Sequence, residues 1–596
     1  MTSERKRCLP ITIFVFAALL GLSANSVSLA PEVSRPDPNS VSRRVLTFYY
    51  PWYGTPDGPG GAGRVVHWGR IDKAAKDIQA STHYPALGPY DSHDPNAIDQ
   101  HCRWARQAGI DTLIVSWWGH GDYSDRAMPK ILDACVHHGL SACIYYETTP
   151  NPKTPETAAE DIIKVVDKYG SHKGYLKVND KPVVFVYGRA LQELSLTDWL
   201  KALEIINAKC KPGVTTIGDQ FSFGAARVFD GLHTYNTAGS LRGLEPDEVE
   251  KWAGPTYQSC VQLTDSAGKI SALTVIPGYD DTKIRKPGLA VDRFDGRLYR
   301  LQWQAAIKAD PHWVLITSFN EWHEGSEIEP SLEFKDKYLQ ITAEYTKRFK
   351  STTRTAHGGT SAQQLGQQEK IRLAEKLRAL RIAVCPGAES RAFWWLIDLG
   401  VKPDLLTYEQ IVSGNLTAQK CQLLLYCSGE LYRTTVNKTG DIDSALLDYL
   451  KSGGFIAFFP SLPWPFYYDE DGRPANRSEK FGLTLRGAWE DPPKGAAIRF
   501  VQPQPRLAHL PQKFDFPAAG DLRWRPFFSR DKARHTSLLR LQDGSENYLG
   551  DAVAYAELPT GGRILYVWFS LLNGPYAEVL LYDLFDFVSE RMPSVK

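Results

Sequence analysis

The feature that most constrains the fold is a regular alternation of apolar strand-like runs and helical segments from Val45 to about Arg348. Apolar strands separated by helices are typical of parallel strands that are covered on both faces. Eight such units in about 300 residues have the size and rhythm of a (β/α)8 barrel. A doubly wound open sheet is the structural alternative. The strand candidates are RVLTFYYPWY, DTLIVSWWG, SACIYYE, KPVVFVYG, TTIG, GLHTY, ALTVIPGY and WVLITSFNEW.

Polar and aromatic residues collect where nearly every one of these strands ends. The carboxyl ends of barrel strands converge on one mouth, which is where barrel enzymes keep their chemistry. This regularity favours the barrel, because the same residues would have no reason to meet in an unrelated architecture. The residues are Tyr49, Tyr50, Trp52, Tyr53, Trp117, Trp118, Tyr145, Tyr146, Glu147, Tyr187, Tyr235, Asn236, Tyr279, Asp280, Asn320, Glu321 and Glu324.

The start of the chain has the composition of a targeting segment. Arg5, Lys6 and Arg7 precede an apolar run of about a dozen residues, and small residues follow it. Residues 1–30 are therefore predicted to be a secretory signal peptide, with an uncleaved membrane anchor as the alternative. The predicted location is secreted or periplasmic, with no membrane span after cleavage. A net charge of +1 gives no support to nucleic-acid binding.

A chain of 596 residues is too long for one hydrophobic core. The predicted barrel domain, residues 44–350, is followed by a polar, glycine-containing linker at 351–370. Residues 371–596 are predicted to form a smaller α/β domain with a flavodoxin-like or amidotransferase-like first half. Its part from about 480 to 570 is richer in strands and turns.

One order of segments in this second domain, LLLYCSGE followed by LLDYLKSGGFIAFFP, weakly resembles class I glutamine-amidotransferase-like domains. In active members of that class the nucleophilic cysteine follows the later strand, where Pro460 and Ser461 stand here. The resemblance therefore implies a non-catalytic accessory domain. Cys427 is accordingly expected to be a structural thiol.

The segment ITSFNEWHEGSEIEP, residues 316–330, carries four carboxylates within nine residues. A solvated loop rarely begins with an apolar run and carries Trp322 in its middle. No HExxH motif or aspartate-rich calcium loop accompanies His323, so neither a metal nor another cofactor is predicted. Two carboxylates that flank a glycosidic bond are the minimum for glycoside hydrolysis, one ionised and one protonated. Residue types alone leave the catalytic and the solvated interpretations both open.

The barrel half resembles glycoside hydrolase family 99, the endo-α-mannosidases and endo-α-1,2-mannanases, over residues 45–348. The last matching segment is the most specific, because the family motif is close to SFNEWHEGTQIE. Ser326 and Glu327 depart from that motif and add a charge beside the acids. The matching segments are FYYPWYG, HYPALGPYDSHDPNAIDQH, SWWG, IYYE, KPVVFVYG, LHTYNTAG, IPGYDDTKIRKPG and ITSFNEWHEGSEIEP.

This resemblance implies a retaining, endo-acting hydrolase of α-mannosidic linkages in mannan or mannose-rich glycans. Most retaining glycosidases use a carboxylate nucleophile, whereas in this family the sugar's own 2-hydroxyl attacks C1 and forms a 1,2-anhydro sugar. Glu321 is then the base for the 2-hydroxyl, and Glu324 protonates the leaving oxygen and later activates water. Such a division requires a raised pKa at Glu324 while Glu321 stays ionised.

The resemblance also implies which residues bind the sugar. Glu147 matches a glutamate of the sugar site, and Tyr235 matches a tyrosine near the reacting sugar. Trp118 stands where mannanase-type bacterial members carry tryptophan, which favours mannan. Strand alternation leaves open which tyrosine of YYPWY faces the site. The predicted substrate-binding residues are Tyr50, Tyr53, Trp118, Glu147, Tyr235, Asn320, Trp322 and His323.

The expected partner is an α-linked mannose-containing oligosaccharide or polysaccharide. Two alternatives are a hydrolase of another α-linked polysaccharide and a non-catalytic carbohydrate-binding protein; the intact acid pair argues against the second. The sequence leaves open the exact glycan and linkage, the role of the second domain, the oligomeric state and any disulfide pairing.

Overall fold

The structure is a computed structural model that describes most of the chain after residue 39. The predicted signal peptide, the middle of the predicted linker, and Pro460 and Ser461 lie outside the described residues. The described residues are 40–355, 365–385, 390–427, 442–459, 466–468, 474–476, 478–481, 483–485, 492–493, 497–516, 524, 526–529, 534–574 and 576–592.

Eight parallel strands close into a barrel, and each of them pairs with its neighbour in the chain. The last strand pairs with the first, with Arg44 aligned to Trp313 and Thr47 to Ile316. Closure excludes the doubly wound open sheet and confirms the predicted (β/α)8 barrel. The strands are β1 Arg44–Tyr49, β2 Thr112–Trp117, β3 Ser141–Tyr146, β4 Lys181–Val186, β5 Thr215–Gly218, β6 Gly231–His233, β7 Ile270–Val275 and β8 Trp313–Ile316.

The outer helices begin at residues that cap them. Asp94 accepts the amide of Asn96, and Thr154 accepts the amide of Thr157, each directly before a proline at the first helical position. The helices are α1 Pro95–Gln107, α2 Tyr123–His137, α3 Pro155–Tyr169, α4 Gly188–Glu193, α5 Leu196–Lys209, α6 Phe223–Val228, α7 Ala238–Leu241, α8 Pro246–Ser266, α9 Arg297–Ala309 and α10 Lys337–Lys350.

Short elements decorate the loops of the barrel. Two-residue strands pair Ile71–Asp72 with Asp77–Ile78, Tyr279–Asp280 with Ala290–Val291, and Lys177–Val178 with β4. Single 3-10 turns occupy Phe294–Gly296 and Trp322–Glu324. The loops that follow β1, β7 and β8 therefore carry most of the added structure around the mouth.

Helix α10 returns the chain to the amino ends of the strands. The carbonyl of Phe349 accepts a hydrogen bond from Arg43, just before β1, at 3.1 Å. The ammonium of Lys350 lies 2.6 Å from a carboxylate oxygen of Asp111, just before β2. The chain thus leaves the barrel at the face opposite the mouth.

A second sheet follows in the C-terminal part of the chain, in the order β10-β9-β11-β12-β18-β17-β16-β13-β14. Its first five strands in this order are parallel, and the remaining pairings are antiparallel. This is the predicted α/β domain with a β-rich part. The strands are β9 Ile382–Cys385, β10 Asp404–Leu405, β11 Leu423–Tyr426, β12 Phe455–Phe458, β13 Arg499–Val501, β14 Lys513–Asp515, β15 Phe527–Ser529, β16 Arg534–Gln542, β17 Tyr548–Glu557 and β18 Arg563–Val567.

Smaller elements complete this part of the chain. Strand β15 pairs with Leu483–Leu485 and with β17, and Phe466–Tyr468 pairs with Pro474–Asn476. Within the predicted linker 351–370, the last four residues belong to α11; the linker and the domain boundaries stay predictions. The helices are α11 Gln367–Arg378, α12 Arg391–Asp398, α13 Ile442–Lys451 and α14 Ala577–Ser589, with short turns at Tyr408–Gln410, Ile411–Asn415, Ser478–Phe481 and Phe569–Asn573.

The barrel and the second sheet meet at helices α6 and α12. Arg227 of α6 pairs with Asp398 of α12 and lies 5.7 Å from the ring centre of Trp394. In the other direction, Arg391 of α12 lies 4.5 Å from the ring centre of Phe223. Each side therefore offers an arginine to an aromatic ring of the other, a contact worth up to about 1–2 kcal/mol.

None of the eight cysteines in the described residues forms a disulfide bond, and seven of them are buried. Cys427 is 1 % exposed, as expected for a structural thiol. In the part of the chain that the structure describes, no helix is long and apolar enough to cross a membrane.

Candidate active site

The loop after β8 folds back sharply over the mouth of the barrel. The Thr317–Ser318 peptide bond is cis. Ser318 accepts the amide of Glu321 with its hydroxyl group at 2.7 Å, and its own amide donates to the carbonyl of Ser326 at 2.8 Å. The loop therefore closes on itself directly after the strand.

Glu321 begins the 3-10 turn Trp322–Glu324 by accepting the amide of His323 at 3.1 Å. Glu324 is the last residue of this turn, and its charge acts on Glu321, so the two carboxyl groups lie near each other. Gly325 ends the turn at φ 55°, and a Cβ there would lie 3.0 Å from the carbonyl oxygen of Asp280. The turn therefore needs glycine at this position, both for its left-handed backbone and for space.

Three of the predicted binding residues lie beneath this loop, fully buried. The Asn320 side chain accepts the amide of Tyr50 at 2.8 Å and donates to the carbonyl of the same residue at 3.1 Å. The Tyr53 hydroxyl accepts the amide of Trp322 at 3.0 Å. Asn320, Trp322 and Tyr53 have no exposed surface in this structure and support the loop, and their direct contact with substrate stays a prediction.

Glu329 gathers a buried hydrogen-bond network under the same loop. Its carboxylate accepts from the Tyr90 hydroxyl at 2.8 Å and from the Trp322 indole at 3.1 Å. His101 lies 3.2 Å from the other carboxylate oxygen, and its second ring nitrogen lies 3.0 Å from the Tyr49 hydroxyl. Tyr49 and His101 are therefore directed towards this network, away from the mouth.

The two acids differ in their partners. The Tyr235 hydroxyl donates to Glu324 Oε2 at 3.1 Å, and both terminal nitrogens of Arg285 lie 3.3 Å from Oε1. The side chain of Glu324 is 14 % exposed, whereas that of Glu321 is 3 % exposed. Glu324 therefore reaches the open mouth between a phenol and a cation, and Glu321 lies deeper.

Burial raises the pKa of Glu321 well above its ordinary value, and the charges of Glu324 and Glu147 raise it further. Burial also raises the pKa of Glu324, although Arg285 and the Tyr235 hydroxyl oppose this. The expected division, with Glu321 ionised and Glu324 protonated, stays a prediction. Burial raises the pKa of both carboxyl groups. The cation that opposes this rise, Arg285, is in direct contact with Glu324.

Glu147 and Trp118 meet through one hydroxyl group. Ser116 donates to the Glu147 carboxylate at 2.7 Å and accepts from the Trp118 indole at 3.0 Å. Burial raises the pKa of Glu147 to about 7, against the opposing effect of the Ser116 hydrogen bond. The guanidinium of Arg189 lies 4.8 Å from the Trp118 ring centre. The partly exposed indole is therefore fixed at the mouth, beside the carboxyl group.

Tyr50 is the tyrosine of the YYPWY stretch that lies beside the acids. Burial raises its pKa, and the three carboxylates Glu147, Glu321 and Glu324 add to the shift. Its ring meets that of Tyr235 edge-on, with ring centres 6.5 Å apart. The structure thus brings together Tyr50, Trp118, Glu147, Tyr235, Glu321 and Glu324.

An aromatic wall of Trp52, His67, Trp118 and His323 borders this group. The Trp52 ring stacks on His67 at 4.7 Å and lies 5.8 Å from His323 and 6.2 Å from Trp118. His323 Nε2 bonds to the carbonyl oxygen of His67. Burial lowers the pKa of His67 to about 4 and also lowers that of His323. Both rings are therefore neutral near pH 7 and serve as flat surfaces.

Sequence reasoning missed two residues of the mouth, His67 and Arg285. His67 lies in the loop after β1, where no strand or helix periodicity marked it. Arg285 stands in the quoted segment IPGYDDTKIRKPG, six residues after Tyr279, which the sequence did place at the mouth, so a signal existed. The Tyr279 hydroxyl accepts from Arg285 at 2.7 Å, which holds the guanidinium against Glu324.

The departure at Glu327 does not add a free charge to the site. Its carboxylate lies 2.8 Å from His83 and 2.9 Å from Arg293, and it is 1 % exposed. Burial alone would raise the pKa of Glu327, but His83 and Arg293 bring it below its ordinary value. Ser326 bonds the Ser318 hydroxyl at 3.0 Å. Both departures therefore serve the fold of the loop.

One group in the described part of the chain has the composition of a metal site. Asp99, His137 and His138 bring one ligand atom each within 4.8 Å of one another on helices α1 and α2 and just after α2. Asp99 is also paired with Arg103 at 2.6 Å. The group shares no residue with the mouth.

The sequence profile described as Glycosyl hydrolase family 99 matches residues 40–351. Glycoprotein endo-alpha-1,2-mannosidase of Rattus norvegicus is 25 % identical over 375 residues, which cover 54 % of this chain and 78 % of that protein. Glycoprotein endo-alpha-1,2-mannosidase-like protein of Danio rerio is 27 % identical over 372 residues, with coverage of 53 % and 80 %. The solved GH99 endo-alpha-mannosidase of Bacteroides thetaiotaomicron is 30 % identical, covers 52 % of this chain and 98 % of its own, and superposes with a TM-score of 0.45.

Proposed function

Because the chain belongs to glycosyl hydrolase family 99 and is therefore a glycoside hydrolase, we propose that it cleaves α-mannosidic bonds within mannose-containing glycans. The proposed enzyme is exported, endo-acting and retaining. The carrying observation is the 3-10 turn Trp322–Glu324, which with the preceding Glu321 brings a buried and a partly exposed carboxyl group together at the barrel mouth. The names of the relatives, which are endo-acting α-mannosidases, support the substrate class.

In the first step, the 2-hydroxyl of the bound mannose gives its proton to Glu321 while its oxygen bonds to C1. The bond from C1 to the departing sugar breaks, and Glu324 gives its proton to that oxygen. The product is a 1,2-anhydro sugar. A carboxylate whose pKa is raised is the stronger base once it is ionised, which suits Glu321 to this task.

In the second step, Glu324 takes a proton from a water molecule, and the water oxygen attacks C1. The bond between C1 and O2 breaks, and Glu321 returns its proton to O2. Two inversions at C1 give retention overall. Tyr235 and Arg285 hold the Glu324 carboxylate in place and oppose the rise of its pKa that burial causes.

The remaining mouth residues are proposed to hold the sugar. The flat face of Trp118 packs on the C–H face of mannose, and Glu147 accepts hydrogen bonds from its hydroxyl groups. Tyr50 places its phenol beside the reacting carbon. Trp52, His67 and His323 continue the aromatic surface beside Trp118.

The test is incubation of the full protein with a panel of α-linked manno-oligosaccharides and other α-glycans. We expect internal cleavage of α-mannosides and a first product of retained anomeric configuration, measured by mass spectrometry and anomeric NMR. Cleavage confined to a different α-glycan would assign the second substrate class instead. No cleavage of any member would refute the proposed function.

Two substitutions separate the roles of the acids. Glu324→Gln is expected to lower kcat about 10²–10⁴-fold on natural glycans, with far less effect on a glycosyl fluoride that needs no protonation. Glu321→Gln should abolish turnover of both substrates, because the 2-hydroxyl is no longer deprotonated. The matched control is Glu344→Gln on the outer face of α10, which should behave as wild type. Full activity in either mouth variant contradicts the assignment.

Export is a separate part of the proposal and rests on the composition of residues 1–30. We expect the mature protein in the periplasmic or secreted fraction of its cell, with its N-terminus after the apolar run. N-terminal sequencing distinguishes this from an intact, membrane-anchored chain.

A further inference from the structure

Three side chains with metal-binding groups lie together on the outer surface of the barrel, where α1 packs against α2. Asp99 belongs to α1, His137 is the last residue of α2, and His138 is the cap of that helix. One ligand atom from each residue lies within 4.8 Å of the other two. The proposed reaction uses none of these three residues, so their grouping needs a separate explanation.

The spacing of two of these atoms is close to that in a metal shell. Asp99 Oδ1 lies 2.6 Å from His138 Nε2. Two ligand atoms that bind one tetrahedral zinc ion at about 2.0–2.1 Å lie about 3.3 Å from each other. The two atoms therefore need to separate by less than about 1 Å to admit a metal ion. Neutral histidine can carry its ring proton on Nδ1, which leaves Nε2 free to bind the ion.

The second histidine can reach the same ion. The ring centres of His137 and His138 are 5.0 Å apart, and the ring planes are nearly perpendicular, at 85°. His137 is exposed, and the side chain of His138 is 15 % exposed. Both rings can therefore turn towards an ion at the surface, and a water molecule can complete a set of four ligands.

The surroundings of the group favour a bound cation. Arg103 lies 2.6 Å from Asp99 Oδ2, the other oxygen of the carboxylate, and so fixes the orientation of Oδ1 towards the histidines. The guanidinium is half exposed, so solvent screens its repulsion of an ion. The carboxyl end of α2, where both histidines stand, carries the partial negative charge of the helix dipole.

The kinds of ligand atom indicate which metal fits. Two imidazoles and one carboxylate form a nitrogen-rich set that suits zinc. Calcium and magnesium prefer shells made of oxygen atoms alone, so this group is a poor site for either.

We propose that Asp99, His137 and His138 bind one Zn²⁺ ion, which ties α1 to the end of α2. His138 stands three residues before β3, at the amino end of a barrel strand and therefore on the face opposite the mouth. The ion is thus assigned a structural role. The inference is independent of the proposed function, because the group and the mouth share no residue.

The test is calorimetric titration of the full protein, without a histidine tag, with ZnCl₂ at neutral pH. We expect one Zn²⁺ ion per chain, and no binding of Mg²⁺ from MgCl₂. His137→Ala and His138→Ala should each raise the Kd for Zn²⁺ at least about tenfold. The matched control is His172→Ala, because His172 also pairs with a surface carboxylate, that of Asp133 at 3.3 Å, but lies outside the group. Its Kd should equal that of wild type.

Asp99→Asn is the further variant, in case the loss of a histidine prevents folding, and it should weaken Zn²⁺ binding to a similar extent. X-ray absorption of the loaded protein should show imidazole nitrogens at about 2.0–2.1 Å from zinc. Hydrogen exchange should slow in residues 95–107 and 123–138 when Zn²⁺ is added. Absence of Zn²⁺ binding, an unchanged Kd in all three folded variants, sulfur ligands around the zinc, or unaltered exchange in these two helices would each overturn the proposal.

Discussion

Ser116 joins Glu147 and Trp118 through one hydroxyl group, and this fixes the properties of both residues. The serine supplies Glu147 with a single hydrogen bond, which is too little to offset the burial of its carboxylate. The result is a carboxyl group whose pKa is about 7 and which is ionised only in the upper part of the physiological range. The ionised Glu147 carboxylate, which is proposed to bind the sugar, therefore lowers the stability of the folded protein.

Glu147→Gln should therefore stabilise the protein. The folded-state pKa lies above the unfolded value of 4.5, so stability is lost as pH rises from about 4.5 to about 7. The amide removes this loss, which amounts to about 3 kcal/mol above pH 7. By calorimetry, we expect a higher Tm than that of wild type at pH 8 and little change at pH 4. The activity of the variant on α-mannosides should be reduced. Glu160→Gln on the exposed face of α3 should show no pH-dependent difference; the same response there would contradict the explanation.

Arg285 is expected to set the position of the pH profile. Its charge opposes the raised pKa of both Glu324 and Glu321, so its loss raises both values. Arg285→Gln should therefore shift both limbs of the bell-shaped profile of kcat/KM to higher pH, in addition to lowering its maximum.

Lys283→Gln is the matched control for this shift, because Lys283 stands in the same loop and pairs with Asp77 instead. Its profile should overlay that of wild type. If both limbs of the pH profile stayed in place in Arg285→Gln, the guanidinium would not control the pKa values of the two acids.

At the scale of elements, a buried ion pair fixes the second half of the loop after β8, which carries the two proposed catalytic acids. Glu327 lies between His83 and Arg293, and Arg293 also donates to the carbonyl oxygens of Gly325 and Glu327. The 3-10 turn with the two acids is therefore held between the end of β8 and this pair.

Glu327→Gln tests that arrangement. A neutral amide leaves Arg293 buried without its counter-charge, which should lower the free energy of unfolding by about 3 kcal/mol at pH 7. The pKa of Glu327 is lowered in the folded state, so its contribution is present above pH 4.5 and lost as pH falls further. Urea unfolding at pH 7 and pH 4 measures the difference, which should shrink at the lower pH.

Glu344→Gln, which removes an exposed pair with Arg300, should change the stability by less than about 1 kcal/mol. If both variants lost the same free energy of unfolding, the buried Glu327 pair would stabilise the protein no more than an exposed pair does.

The strands and the mouth were predictable from the sequence because their signals are periodic. Apolar runs marked all eight strands, and the polar residues at their ends marked the mouth. The orientation of Asn320 and Trp322 was not predictable, since a single 3-10 turn is too short to show a period. His67 was missed for a different reason. Its place beside Trp52 depends on contacts across the loop after β1, and no local sequence pattern indicates such contacts.

At the scale of the whole molecule, the second sheet is attached through α6 and α12 at the side of the barrel. The contacts are the Arg227–Asp398 pair and the placement of Arg391 near Phe223, and neither includes a residue of the mouth. Attachment and chemistry therefore use separate parts of the barrel.

The double variant Arg227→Ala/Arg391→Ala should weaken this attachment without altering the reaction. We expect the free energy of unfolding to fall by about 1–2 kcal/mol, from the lost cation–aromatic contacts and ion pair. The kcat/KM should stay within error of wild type. A matching loss of activity in the folded variant would instead show that the second sheet acts on the mouth.

The return of α10 to the amino ends of the strands has a consequence for the size of the substrate. Since Phe349 and Lys350 bond to residues that precede β1 and β2, the covalent path to the second sheet departs from the underside of the barrel. In the described part of the chain, the link to the second sheet therefore starts away from the opening, which suits the proposed cleavage of a polymer in its interior, with a long arm on either side.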